Sequence, residues 1–119
     1  MGFREHLQEV CRGVDGALAC SLMGMDGIEV DSHVQADTGI DVKSMWVELT
    51  GILKSAKEAA LAHQAGGLAE FSVATDRMVT VGRLVSPEYF MVVALAPDGN
   101  QGKARYLLRV AAPRVAAEL

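Results

Sequence analysis

The chain has 119 residues, 50% of them hydrophobic, and its fifteen acidic side chains outnumber eleven basic ones for a formal charge of −4. That length carries one ordinary core and not two, so 1–119 is read as a single domain, and the apolar content excludes a disordered polyelectrolyte. No stretch reads as a basic stripe with interleaved aromatics, so nucleic acid is not an expected partner.

Phe3, Leu7, Val10, Cys11 and Val14 recur at helical spacing, and Asp15-Gly16 closes that helix. Ala17 to Met25 is a mostly apolar run, Asp26-Gly27 a turn that needs positive φ, and Ile28 to His33 an alternating run, together a β-hairpin. On strict alternation Glu29 and Asp31 share a wet side while Ile28 and Val30 face the core. Asp26, Glu29 and Asp31 could hold a cation, but they fall short of the ligand count of a dedicated calcium site.

Asp41 is the expected N-cap of a long helix whose apolar residues Val42, Met45, Trp46, Leu49, Ile52, Leu53, Ala56 and Ala60 keep helical spacing up to Gly66-Gly67. At roughly 100° per residue the core-facing arc holds Ala59, Ile52, Met45, Ala56, Leu49, Val42, Leu53 and Trp46. Glu48, Ser55 and Ala62 border it, while Val47, Gly51, Lys54 and Glu58 point away. Ser55, Ala59 and Ala62 are small enough to let a second helix approach, and Lys54 and Glu58, four apart, could simply pair on a wet face.

Three strands are predicted next, Leu68 to Thr75, Met78 to Val85 and Tyr89 to Ala96, with turns short enough for antiparallel neighbours. Glu70 and Ser72 share one side of the first and Phe71 and Val73 the other, as an edge strand requires. The last is apolar on both faces and belongs at the centre of the sheet. Ala104, Leu107, Leu108, Ala111, Val115 and Leu119 form a final helix, which Pro113 is expected to kink or end early. The order α-β-β-α-β-β-β-α specifies an α+β fold: a five-stranded antiparallel sheet with flanking helices.

Residues that could carry chemistry form no catalytic set. Gly99-Asn100-Gln101-Gly102-Lys103-Ala104 precedes a helix, but a phosphate loop needs four residues between its glycines and a hydroxyl after the Lys, so this is a turn. His6, His33 and His63 lack a second ligand at i+3 or i+4, and His63 falls where a helix C-terminus favours a positive ring. Cys11 and Cys20 fit neither a metal knuckle nor a disulfide framework and read as inert core thiols in a reduced compartment. Trp46 and the methionines 23, 25, 45, 78 and 91 read as core. No catalytic residue, cofactor or metal is expected. The charged N-terminus and the lack of a run of ~20 apolar residues argue for a soluble, cytoplasmic protein without membrane insertion.

The element order, the strand-turn-strand Ala17 to Val30 with Asp26-Gly27 at its tip, the helix Val42 to Ala62, the run Tyr89 to Ala96 and Gly102-Lys103-Ala104-Arg105-Tyr106-Leu107-Leu108 coincide with one family. Over essentially its whole length the sequence resembles the Roadblock/dynein light-chain family, and in particular its small bacterial MglB-like members. The resemblance implies a homodimer, or a heterodimer with a Roadblock paralogue. In it Glu70, Phe71, Ser72 and Val73 extend the sheet across the interface, and Glu48, Ser55, Ala59 and Ala62 pack one second helix on its mate. It implies a small Ras-like GTPase as partner, regulated or localised without an arginine finger. Val47, Gly51, Lys54 and Glu58 are the candidate contact surface. A proline at Val73 should then break the paired edge. The alternative is a PAS-like small-molecule sensor, which needs a cavity with convergent polar groups that the sequence does not offer.

Overall fold

The computed structural model describes residues 2–119. Its elements are α1 (Phe3–Gly13), β1 (Ala17–Gly24), β2 (Glu29–Val34), α2 (Val42–Ala62), β3 (Glu70–Ala74), β4 (Val79–Ser86), β5 (Tyr89–Leu95) and α3 (Gln101–Ala116). They form one five-stranded antiparallel sheet with flanking helices, as predicted; the strands run in the order β2-β1-β5-β4-β3 and the helices cover both faces. The doubly apolar β5 sits in the middle, with Phe90 to Leu95 all buried.

Alternation along the strands builds two cores. Cys20, Leu22, Val81, Met91 and Val93 meet Leu7, Val10 and Cys11 of α1 and Leu108 and Val115 of α3. Ala19, Met23, Phe90 and Val92 meet Trp46, Leu49 and Leu53 of α2 on the opposite face. In that second core Trp46 Nε1 donates to Thr80 Oγ1 at 3.4 Å, so the indole brings its polar atom to a partner. Two loops lock the end of the first core: Ala96 N donates to Gly16 O at 2.8 Å and Asn100 N to Asp15 O at 3.0 Å. Gly16 lies at φ 85°, and an added Cβ would stand 2.6 Å from Gly99 Cα, so glycine alone fits there.

Four local expectations are corrected. The β1–β2 register shifts between Leu22 and Met23, where Leu22 pairs with Asp31 and Met23 with Glu29, leaving Val30 as a bulge. Glu29 and Asp31 therefore fall on opposite faces, and Ile28 and Val30, 66% and 42% exposed, do not enter the core. The second helix spans Val42 to Ala62 as expected, but Gln64 and not Gly66-Gly67 ends it: Gln64 takes the left-handed conformation (φ 58°) and Ala65 N closes on Ala60 O at 2.8 Å. Along α2 the buried stripe is Trp46, Leu49, Thr50 and Leu53, whereas Ile52, Ala56 and Ala59 are exposed. The apolar arc of the sequence is broader than the face the sheet covers. Finally, α3 runs through Pro113 to Ala116, because a proline in the last turn removes little of the ladder.

Candidate partner and self-association surface

The N-terminus of α2 is held as expected: Asp41 accepts from Ser44 N at 3.1 Å and Ser44 Oγ at 2.7 Å, contacts that hold its carboxyl below the ordinary range. Lys43 reaches Glu29 Oε2 at 3.5 Å, and Lys57 Nζ donates to Pro87 O at 2.8 Å, tying both ends of α2 to the sheet. The outward half of α2 carries the candidate residues.

Val47, Gly51, Lys54 and Glu58 are all exposed on one flank, and Glu48, Ser55, Ala59 and Ala62 are all exposed beside them. Lys54 and Glu58 form no ion pair with each other among the described residues, so the charges stand free. Lys54 lies next to the two hairpin tips, lining a shallow groove of about 290 Å³ with Met25, Asp26, Glu88 and Tyr89. The tips are joined by Met25 N donating to Glu88 O at 2.8 Å.

Two residues that sequence reasoning placed elsewhere or passed over enlarge this surface. Ile52, assigned to the core, is 65% exposed beside Glu48, Ser55 and Ala59, and Leu61 is 53% exposed beside Lys54 and Glu58. An isoleucine on a mid-helix turn flanked by small residues was the signal available. Leu61 and Lys57 also border an open groove of about 380 Å³ with Gly67, Leu68, Leu84, Val85, Ser86 and Pro87. This groove is apolar and open to the surface, while Trp46, Phe90 and Met23 fill the space between α2 and the sheet, where a sensor would need its cavity.

Both β2 and β3 are edges, and they differ. The bulge interrupts β2, a device that discourages edge pairing, whereas β3 pairs regularly with β4 from Glu70↔Arg83 to Ala74↔Val79 and carries neither Lys nor Pro. The ladder bonds Leu84 N to Ala69 O and Thr75 N to Met78 O, both 2.9 Å, set the alternation. Residues 69, 71, 73 and 75 bond β4, so Glu70, Ser72 and Ala74 present their N–H and C=O to the open side. Val73 therefore belongs to the intramolecular ladder, and a proline there would attack the fold rather than the edge. On the side chains, Phe71 and Val73 are half-buried over the α2 core, Glu70 meets Arg83 at 3.4 Å, and Ser72 accepts from Arg105 at 3.5 Å.

The remaining sequence candidates carry structure. Asp26 accepts from Ile28 N at 3.0 Å, Glu29 from Ser21 Oγ at 2.9 Å, and Asp31 is held by Arg4 at 2.7 Å, so the three acids do not converge. Burial opposes the Asp31 charge, but the Arg4 guanidinium and the Ser32 N–H outweigh it and leave the carboxyl below its ordinary range. No cluster of three or more His, Cys, Asp or Glu suited to a metal occurs among the described residues. Asn100 caps α3 through Lys103 N at 3.0 Å, which makes the glycine-rich turn a helix start. His63 is the C-cap of α2, and His33 Nε2 lies 2.9 Å from Gln35 Oε1. His6 is buried with its Nε2 3.4 Å from Glu118 Oε2, a contact between the chain ends invisible to local pattern. Cys11 and Cys20 are buried side by side; the hydrogen bond with Cys11, then burial, push the Cys20 thiol well above its usual range. The same hydrogen bond lowers the Cys11 thiol, against the burial that raises it. No helix among the described residues is long and apolar enough to cross a membrane.

No family profile matches the chain, and no curated protein sequence matches it. Solved structures do. The crystal structure of MglC from Myxococcus xanthus is 49% identical, with all of each chain covered and a TM-score of 0.71. A Roadblock/LC7 domain from Streptomyces avermitilis is 12% identical over 99% of this chain and 98% of that one, with a TM-score of 0.84. The gliding protein MglB from Thermus thermophilus is 17% identical over 98% and 89%, with a TM-score of 0.83. The last two establish the fold, and the first, full-length and at 49% identity, establishes kinship. The chain belongs to the Roadblock/dynein light-chain family, as a small member of its MglB/MglC type.

Proposed function

We propose that residues 1–119 form one Roadblock-like domain that works in the cytoplasm as a non-enzymatic dimer, binding a small Ras-like GTPase and modulating its nucleotide state or location. The observation that carries this reading is the outward half of α2. It exposes Ile52 on the flank of Ser55, Ala59 and Ala62, and Val47 and Leu61 on the flank of Gly51, Lys54 and Glu58, with none of the three large side chains buried among the described residues. Large apolar side chains left exposed beside small residues, on both flanks of a helix's uncovered half, mark an interaction surface rather than a solvated one. The regular open edge of β3 supplies the second half of a self-association surface. On this reading Ile52, Ser55, Ala59, Ala62 and Glu48 meet the mate's α2, with Glu70, Phe71, Ser72 and Val73 at the strand edge. Val47, Gly51, Lys54 and Glu58 remain for the GTPase.

The test pairs the purified protein with a Ras-like GTPase loaded with GDP or a non-hydrolysable GTP analogue, following binding by calorimetry and turnover and nucleotide release by fluorescence. The double variant Val47→Asp/Lys54→Glu is expected to weaken binding by about tenfold or more while the sedimentation coefficient stays that of wild type. No binding in either nucleotide state, with no effect on turnover or release, overturns the proposal.

A further inference from the structure

On the far side of the sheet from α2, the helix α3 holds four of the eleven basic residues and none of the fifteen acidic ones, in a chain of net charge −4. Lys103, Tyr106, Val110 and Arg114 follow one another at three, four and four residues, so they share one outward arc, with Arg109 on its border. All five are exposed, with Tyr106 at 53% and Val110 at 37%. Lys103 Nζ sits 5.9 Å from the Tyr106 ring centroid, and among the described residues no ion pair satisfies Lys103, Arg109 or Arg114. Glu9 of α1 shares a small hollow with Arg114 without pairing to it. The expectation that no basic stripe with an aromatic exists overlooked this face, because helical spacing scatters its members along the sequence.

We propose that this face docks an acidic, amphipathic segment of a different protein, whose carboxylates pair with Lys103, Arg109 and Arg114 and whose apolar side chain rests on Tyr106 and Val110. Charge complementarity selects the occupant. A second copy meeting this face in a two-fold contact would set its own Lys103, Arg109 and Arg114 against these, like charge on like. Three unpaired cations fall short of the roughly four to eight that hold a protein on an anionic lipid surface. A long polyanion such as duplex DNA would overrun the arc onto surfaces of the opposite preference. From Lys103 to Arg114 is roughly 16 Å at 1.5 Å per residue, the reach of a short helix or strand. Because α1 and α3 lie across the sheet from α2, this site and the α2 surface can be filled together.

The experiment titrates the full chain with a synthetic peptide of alternating Glu and Leu, the same peptide with Gln for Glu, phosphatidylserine vesicles and a DNA duplex. Amide chemical shifts report the location. The Glu peptide is expected to bind with shifts on α3 and to weaken by at least about tenfold in Lys103→Ala/Arg109→Ala/Arg114→Ala, as in raised salt. Tyr106→Ala, which leaves every charge in place, should also weaken it by about tenfold, and Lys54→Ala on α2 should not change it. Equal binding of the Gln peptide, unchanged binding by the triple variant or by Tyr106→Ala, shifts on α2, or tighter binding to vesicles or duplex overturns the proposal. All these side chains are exposed, and the thermal midpoint of each variant verifies that it folds.

Discussion

Replacing Ile52 with Ala separates the surface reading of α2 from the core reading, because the two assign its side chain opposite duties. With 65% of its surface exposed in the monomer, Ile52 contributes little to the fold, and Ile52→Ala should move monomer stability by no more than about 0.5 kcal/mol. Covering a whole isoleucine is worth about 1.5–3 kcal/mol, so covering what Ile52 leaves open is worth about 1–2 kcal/mol. A two-fold interface counts the residue twice, for about 2–4 kcal/mol, or on the order of 30- to 1000-fold in the dimer dissociation constant. Leu53, one position on and 5% exposed, is the contrast: Leu53→Ala leaves a cavity and should cost about 2–5 kcal/mol of folding stability. Sedimentation velocity over a dilution series gives the dissociation constant. Urea unfolding at concentrations below it isolates the monomer, since association otherwise adds to apparent stability. An Ile52→Ala protein that dissociates like wild type, or whose monomer loses as much stability as Leu53→Ala, would refute the reasoning.

Further consequences are as direct. Ser72→Pro removes an outward N–H and should shift the chain to monomer while it remains folded, whereas Val73→Pro breaks a β3–β4 ladder bond and should lower the thermal midpoint at every concentration; the reverse pattern in sedimentation and melting would contradict the ladder alternation. An added methyl at Gly82 would overlap the Phe71 ring, which packs edge-on against Phe90 at 5.8 Å between centroids, so Gly82→Ala should cost about 1–3 kcal/mol in urea unfolding. The Asp31 carboxyl is depressed in the fold, so its contribution is complete above the ordinary carboxylate range and is lost as pH falls through the depressed value. Arg4→Ala should flatten that acid limb, by no more than about 1 kcal/mol because the Arg4 side chain is largely solvated. Urea melts at successive pH values measure it, and an unchanged limb would remove Arg4 as the cause.

How much of the fold and of the α2 surface is legible in the sequence follows from the range of the forces involved. Periodicity and turn chemistry are local, so α1, the Asp26-Gly27 hairpin, the Asp41 cap and the central place of β5 can be read from neighbouring residues. The face of α2 that carries Val47, Gly51, Lys54 and Glu58 is legible for the same reason. Ile52 is misplaced by pattern because hydropathy reports that a side chain avoids water but not what will cover it. Only the packing of α2 on the sheet shows that Leu53 is buried and Ile52 left out. The Val30 bulge escapes because a one-residue slip reverses a strand's faces without altering its composition, and its position depends on the register against β1. The basic arc of α3 escapes because its residues converge only when the helix is wound and its other side is buried against α1 and the sheet.

The sequence by itself therefore determined the order of elements and the family, both of which rest on short-range pattern and its spacing. The tertiary structure alone decided which apolar residues remain uncovered, which backbone groups of β3 face outward and which charges lack a partner. Those properties belong to pairs of distant segments, and they are the ones from which a partner surface is made.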